Sequence, residues 1–109
     1  MKHVVFIILM SAAVGGCSLT LPVQGQMNGG EGYFTGSATG YGDGSGTLTI
    51  VSNTGIQCEG VFVYLTRRTG RGTFHCGKGL SGPFEFVSTG TRGTGTGTLG
   101  RRPFTFTFG

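Results

Sequence analysis

From Tyr33 onward, apolar and polar residues alternate in short runs, the period of two expected when one face of a strand is buried. The alternation predicts strands over residues 33–39, 46–52, 57–64, 72–76, 83–88, 95–99 and 104–108. No apolar period of 3.6 survives the glycine density, so no helix is predicted in this region. The runs recur in pairs. Openings read Phe34-Thr35-Gly36, Cys58-Glu59-Gly60 and Leu80-Ser81-Gly82. Closings read Gly44-Ser45-Gly46-Thr47-Leu48, Gly70-Arg71-Gly72-Thr73-Phe74 and Gly95-Thr96-Gly97-Thr98-Leu99. The predicted fold is all-β: an antiparallel meander of three repeated hairpins plus a closing strand, forming a small twisted or rolled sheet. Its buried face is expected to hold Phe34, Leu48, Ile50, Phe62, Tyr64 and Phe74 in the first half. Phe84, Phe86, Leu99, Phe104, Phe106 and Phe108 supply the second.

The middle hairpin suggests its own register. If Cys58 faces Cys76, then Gly60 faces Phe74, Phe62 faces Gly72 and Tyr64 faces Gly70. One register therefore joins the cysteines and sets each aromatic ring over bare backbone, an arrangement that crowded sheets use. Residues 19–30 carry Pro22, Gln24, Gln26, Asn28 and a glycine pair, and read as a linker.

The N-terminus has a different character. Met1-Lys2-His3 precedes a mostly apolar stretch over residues 4–14, which is too short to span a bilayer, and then Gly15-Gly16-Cys17. Val14, two small residues and Cys17 resemble the lipobox of a bacterial lipoprotein signal peptide. The resemblance implies a signal peptide over 1–16 and a Cys17 that carries lipid, including an amide-linked acyl chain such as palmitate. A lipidated N-terminus and linker would then cover 17–30, and a glycine-rich domain 31–109. Two or three acyl chains anchor durably where one does not. Ser18 after the cysteine implies, for such lipoproteins, an outer-membrane address facing the periplasm. With Cys17 lipidated in an oxidising compartment, Cys58 and Cys76 are left as the pair expected to form a structural disulfide. A metal site is not expected, because His75 beside Cys76 has no second ligand cluster.

The hairpin unit also resembles the MORN repeat, with its aromatic-x-Gly opening and Gly-x-Gly close, across most of residues 34–99. Cys58 and Leu80 stand where that repeat has an aromatic. This likeness concerns architecture. The chain as a whole is similar to short bacterial lipoproteins and carries no activity over from them.

Charge adds one feature. Seven basic residues of the expected mature chain all lie in its second half: Arg67, Arg68, Arg71, Lys78, Arg92, Arg101 and Arg102. Of these, Arg67, Arg68, Arg71, Arg101 and Arg102 are candidates for contact with an anionic envelope surface. Catalytic motifs fail on inspection. The stretch from Gly72 to Gly79 has phosphate-loop spacing without the Ser or Thr that would hold magnesium, and Gly95-Thr96-Gly97-Thr98-Leu99-Gly100 enters no helix. Asp43-Gly44 reads as a turn, not a calcium loop. No catalytic residue, cofactor or nucleic-acid partner is expected, and an enzyme is not predicted. The function expected from these residues is that of a lipid-anchored envelope protein. Its primary role would be a structural or interaction module binding another envelope protein or an anionic polymer, in part by strand addition at sheet edges. The alternative is a small-ligand or lipid binder using the aromatic face. Replacing Cys17 by Ala is expected to abolish metabolic labelling with palmitate and to release the chain from the membrane fraction. Unchanged fractionation would overturn the anchor.

Overall fold

The computed structural model describes residues 18–28 and 32–109. The expected site of lipidation, Cys17, and the segment before it lie outside these residues. Eight strands follow in order: β1 (Leu19–Met27), β2 (Tyr33–Gly40), β3 (Ser45–Ser52), β4 (Gln57–Tyr64), β5 (Thr69–Cys76), β6 (Ser81–Thr89), β7 (Arg92–Leu99) and β8 (Arg102–Phe108). Each pairs antiparallel with its neighbour in sequence, and β1 pairs with β8, so the meander closes into a barrel. The only helical turn among the described residues is the 3-10 turn Gly77–Gly79 between β5 and β6.

The all-β meander is therefore observed, in a more complete form than the three hairpins and closing strand expected. The difference is β1. Residues expected to form a linker make the first strand, because Leu21, Val23, Gly25 and Met27 alternate inward while Pro22, Gln24 and Gln26 face solvent. Pro22 is tolerated because it lies just past the ladder to β8, which runs from Val23 to Met27, while its carbonyl still accepts from the Gly109 amide. Closure leaves none of the eight strands with a free edge, so strand addition by a partner, part of the expected interaction role, has no edge to use.

The interior explains why the barrel closes at this size. In the middle hairpin Cys58 faces Cys76, Gly60 faces Phe74, Phe62 faces Gly72 and Tyr64 faces Gly70, the register anticipated above. The same alternation continues around the wall. One row runs Tyr64, Gly70, Phe86, Gly95, Phe106, Gly25 and Phe34, crossing seven strands with ring and glycine in turn. A second row runs Phe62, Gly72, Phe84, Gly97 and Phe104. An eight-stranded barrel is just wide enough for side chains to fill, so a ring on every strand would overfill it. A Cβ at Gly70 would strike the Phe86 ring, and one at Gly95 the Phe106 ring. Gly36 and Gly82 have another duty. A Cβ at either would meet backbone carbonyl oxygen, of Thr49 and Thr98 respectively, so the neighbouring backbone lies too close there for any side chain.

Val23, Phe34, Leu48, Ile50, Cys58, Phe74, Phe84, Phe86, Phe104 and Phe106 form the buried core. Of the expected face, Phe62, Tyr64, Leu99 and Phe108 are only partly buried, and Val23 joins the core from outside it. Rings meet edge to face or tilted, as between Phe74 and Phe84 at 4.6 Å and Tyr64 and Phe86 at 5.1 Å between centroids. Outward positions of β2, β3 and β7 are mostly Thr and Ser. A membrane-spanning barrel has the reverse arrangement, apolar outside. No helix among the described residues is long and apolar enough to cross a membrane.

Phe74 has no exposed surface. Phe74→Ala is therefore expected to destabilise the barrel by about 3–5 kcal/mol in urea unfolding. Gly82→Ala should also destabilise it, since backbone and not a movable ring must give way, whereas outward Thr49→Ala should change stability by less than about 0.5 kcal/mol.

Candidate functional site

The two barrel ends differ. Ser18, the turns at residues 41–44 and 65–68, and the Gly90-Thr91 turn gather at one end, here the mouth. The loops at residues 53–56, 77–80 and 100–101 gather at the far end, with Asn28 and Gly32.

A cavity of about 270 Å³ opens at the mouth. Its floor is Val23, Leu48, Phe84 and Phe106. Leu21, Ala38, Phe62, Tyr64, Phe86 and Phe108 make the walls, and Leu19, Gly40, Gly42, Gly90 and Thr91 the rim. The hollow arises where the ring-and-glycine rows run out. Gly40 pairs with Leu19 on one side and Gly46 on the other, and a Cβ placed there would meet nothing within 4 Å. Such a volume exceeds the roughly 150 Å³ of a dry cavity that takes up benzene, and falls just short of the about 300 Å³ at which drug-sized pockets begin.

One polar group enters this apolar wall. The Tyr64 hydroxyl donates to the Ser88 hydroxyl at 3.2 Å, and Ser88 is otherwise buried, 2 % exposed. The backbone amide of Ser88 donates to the Arg68 carbonyl, which ties the β4–β5 turn to β6. From sequence, Tyr64 is only a core residue. Leu19, Leu21 and Val23 escape sequence reasoning because the linker reading hides their alternation.

A second hollow, about 220 Å³, lies at the far end. Its lining is more polar, with Ser52, Asn53, Thr54 and Arg102, and it includes both cysteines. Cys58 and Cys76 are bonded there, with Cα atoms 4.0 Å apart, as expected of a structural pair.

The five arginines expected to act together are separated. Arg67 and Arg68 lie in the exposed turn at the mouth, Arg71 stands on the outer wall opposite Glu85, and Arg101 and Arg102 are at the far end. A single basic rim is thereby ruled out, because antiparallel strands deliver successive turns to opposite ends. His75 faces outward across from Glu59, and no three of His, Cys, Asp and Glu come together among the described residues.

No protein-family model matches the chain. No curated protein matches it either. The geometry defines an eight-stranded up-and-down antiparallel barrel with an apolar mouth. Solved structures of that class are similar to it. A redesigned β-barrel, mFAP1, bound to DFHBI, superposes with a TM-score of 0.68 at 14% identity, over 88% of this chain and 96% of that one. A fluorescence-activating β-barrel designed de novo gives 0.63 at 11% identity, over 82% and 88%. At such identity the likeness speaks for the fold.

At the mouth rim, the Asp43 carboxylate accepts hydrogen bonds from the Ser45 hydroxyl at 2.7 Å and the Ser45 amide at 3.0 Å. These bonds favour the charged form and hold the Asp43 carboxyl below its ordinary range, the hydroxyl contributing most. A group lowered in this way stabilises the turn above the ordinary carboxylate range, and that contribution disappears as pH falls through its folded value. The Ser45 amide resonance is expected to shift in that acidic window in NMR titration, and to lose the response in Asp43→Asn.

Proposed function

We propose that this protein binds a small, mostly apolar molecule in the mouth of its barrel, as a lipid-anchored protein of the cell envelope. The observation that carries the reading is the cavity. It has apolar walls, one phenol able to orient a polar atom, and a floor of buried side chains that keeps it separate from the far end. Its size suits one aromatic ring system or a short aliphatic chain. A molecule with a single hydroxyl or carbonyl could exchange partners with Tyr64 and Ser88, leaving no buried polar atom unpaired.

The envelope role rests on the lipobox resemblance at Cys17 and on the disulfide, which suits an oxidising compartment. The structural neighbours add modest support: mFAP1 is described as bound to DFHBI and the de novo barrel as fluorescence-activating, so designed barrels of similar fold accommodate ligands. Against an interaction module built on strand addition stands the absence of a free edge among the eight strands. A small chain is expected to fill a core at the expense of any cavity. Glycine at about a third of the inward positions relaxes that conflict, since the rings need not fill the whole interior and the larger of the spaces they leave lies at the mouth.

Titration with 2-naphthol, a neutral fluorescent dye with one aromatic ring system and one hydroxyl, tests the reading. Saturable binding at one site per chain is expected, and Ala38→Phe should weaken it by about tenfold or more, a loss of about 1.4 kcal/mol. Ala38 lies between Leu21 and Leu48 on the inner wall, so the added ring occupies the cavity and leaves the outer surface unchanged. Non-saturable binding, or undiminished binding by a folded Ala38→Phe, would sink the proposal.

A further inference from the structure

The outer wall is mostly Thr, Ser and Gln, so large apolar groups on it stand out. At the mouth, Leu19 is 52 % exposed, Tyr41 46 % and Leu65 57 %. Leu19 pairs with Gly40, next to Tyr41. The Tyr64 amide, next to Leu65, donates to the Gly44 carbonyl, which joins the β2–β3 and β4–β5 turns along the rim. Leu65 heads a turn that continues Thr66-Arg67-Arg68, and its backbone is pinned by hydrogen bonds from Leu65 and Thr66 to Thr69. Thr66 also accepts from the amides of Arg68 and Thr69. The turn is thus a fixed projection with a Leu and two guanidinium groups at its tip.

We infer that the mouth end docks on an anionic lipid bilayer, with Leu65 and Tyr41 entering the interface and Arg67 and Arg68 meeting headgroup phosphates. Two observations fit a bilayer as the partner, and a third selects this end. A Leu and a Tyr beside two Arg on one rigid rim are the groups that settle at a bilayer surface: apolar bodies below, polar tips and long basic stems at headgroup level. Charge is complementary, since Arg67, Arg68 and Arg92 face outward at this end, where Asp43 is the only carboxylate side chain among the described turns. Finally, Ser18, the first described residue, lies at this end, so the expected lipid on the preceding Cys17 would be attached at the mouth. The far end carries Tyr33, 62 % exposed, and Leu80 beside Arg101 and Arg102, so neither exposed apolar groups nor charge chooses between the ends; the attachment of the expected anchor does. In this orientation the apolar cavity opens toward lipid, which, on the ligand-binding reading above, makes a membrane-dissolved molecule the natural ligand.

The chain contains no tryptophan, so a single introduced one is a unique reporter. Full-length Leu65→Trp and Tyr41→Trp would be mixed with vesicles of phosphatidylglycerol and phosphatidylcholine carrying brominated acyl chains. Leu80→Trp, 39 % exposed before substitution, reports on the far end. Strong bromine quenching at positions 65 and 41, several-fold above that at 80, is expected. Arg67→Glu with Arg68→Glu should reduce quenching at 65 to the far-end level. Equal quenching at both ends, none at either, or indifference to charge reversal overturns the proposal. So does a concentration-dependent blue shift without bromine quenching, which would mean that a second copy of the chain covers the rim. Dye binding by the cavity is read separately, so failure of docking and failure of ligand binding are distinguishable.

Discussion

The close approach of phenylalanine rings to glycine backbone across neighbouring strands is the constraint on which the barrel depends. Strands lie about 4.8 Å apart, and inside a closed sheet of eight the facing walls converge. Rings on adjacent strands at the same height would compete for one space. Placing Gly72 between Phe62 and Phe84, and Gly95 between Phe86 and Phe106, gives each ring the room of two positions. The rows drift from the mouth at Tyr64 to the far end at Phe34, which is the stagger that closing a barrel requires. Register, curvature and core packing are therefore one property here.

Glycine has a thermodynamic disadvantage, since ordering it removes more backbone freedom than ordering any other residue. A domain this small buries a modest fraction of its surface to begin with. The bond between Cys58 and Cys76 offsets part of this, because it restricts the unfolded chain over a separation of 18 residues. Its position is also fitting: it sits at the far end, where the rings of Phe34, Phe74 and Phe104 are packed, and leaves the mouth unclamped. Hollows remain at both ends, the larger at the mouth and the smaller beside the crosslink.

Much of the wall is legible in the sequence. Strand positions from Tyr33 to Phe108 follow from alternation, and the Cys58–Cys76 register follows from matching rings to glycines. Three things are not legible. Leu19, Leu21 and Val23 keep strand period, but Pro22, Gln24 and Gln26 make the same residues look like a tether, and only pairing with Phe106 and Phe108 tells the two apart. Closure is a contact between the two ends of the domain, which no local pattern encodes. The cavity depends on which glycines lack a ring opposite, as Gly40 does, and that requires the complete set of eight registers. The scatter of the arginines has the same origin: their neighbourhood in sequence reverses from turn to turn.

A closed barrel restricts where function can reside. With no free edge, the backbone offers partners no hydrogen-bonding groups along the sheet. The hydroxyl-rich outer face presents few anchors, and its exposed valines, Val51, Val61, Val63 and Val87, have polar or charged cross-strand neighbours. The ends remain. One is crossed by the disulfide and has Ser52, Asn53 and Thr54 among the apolar residues of a smaller hollow, and the other is a larger hollow with a phenol inside and a rim of Leu, Tyr and Arg. Filling that hollow would be simple chemically, since one methyl group at Gly40 meets no obstacle and a larger side chain at Ala38 would plug it. The space exists because small residues occupy the positions where ring-bearing ones would be expected to improve packing. The proposed ligand site rests on that local departure from the rule governing the rest of the interior.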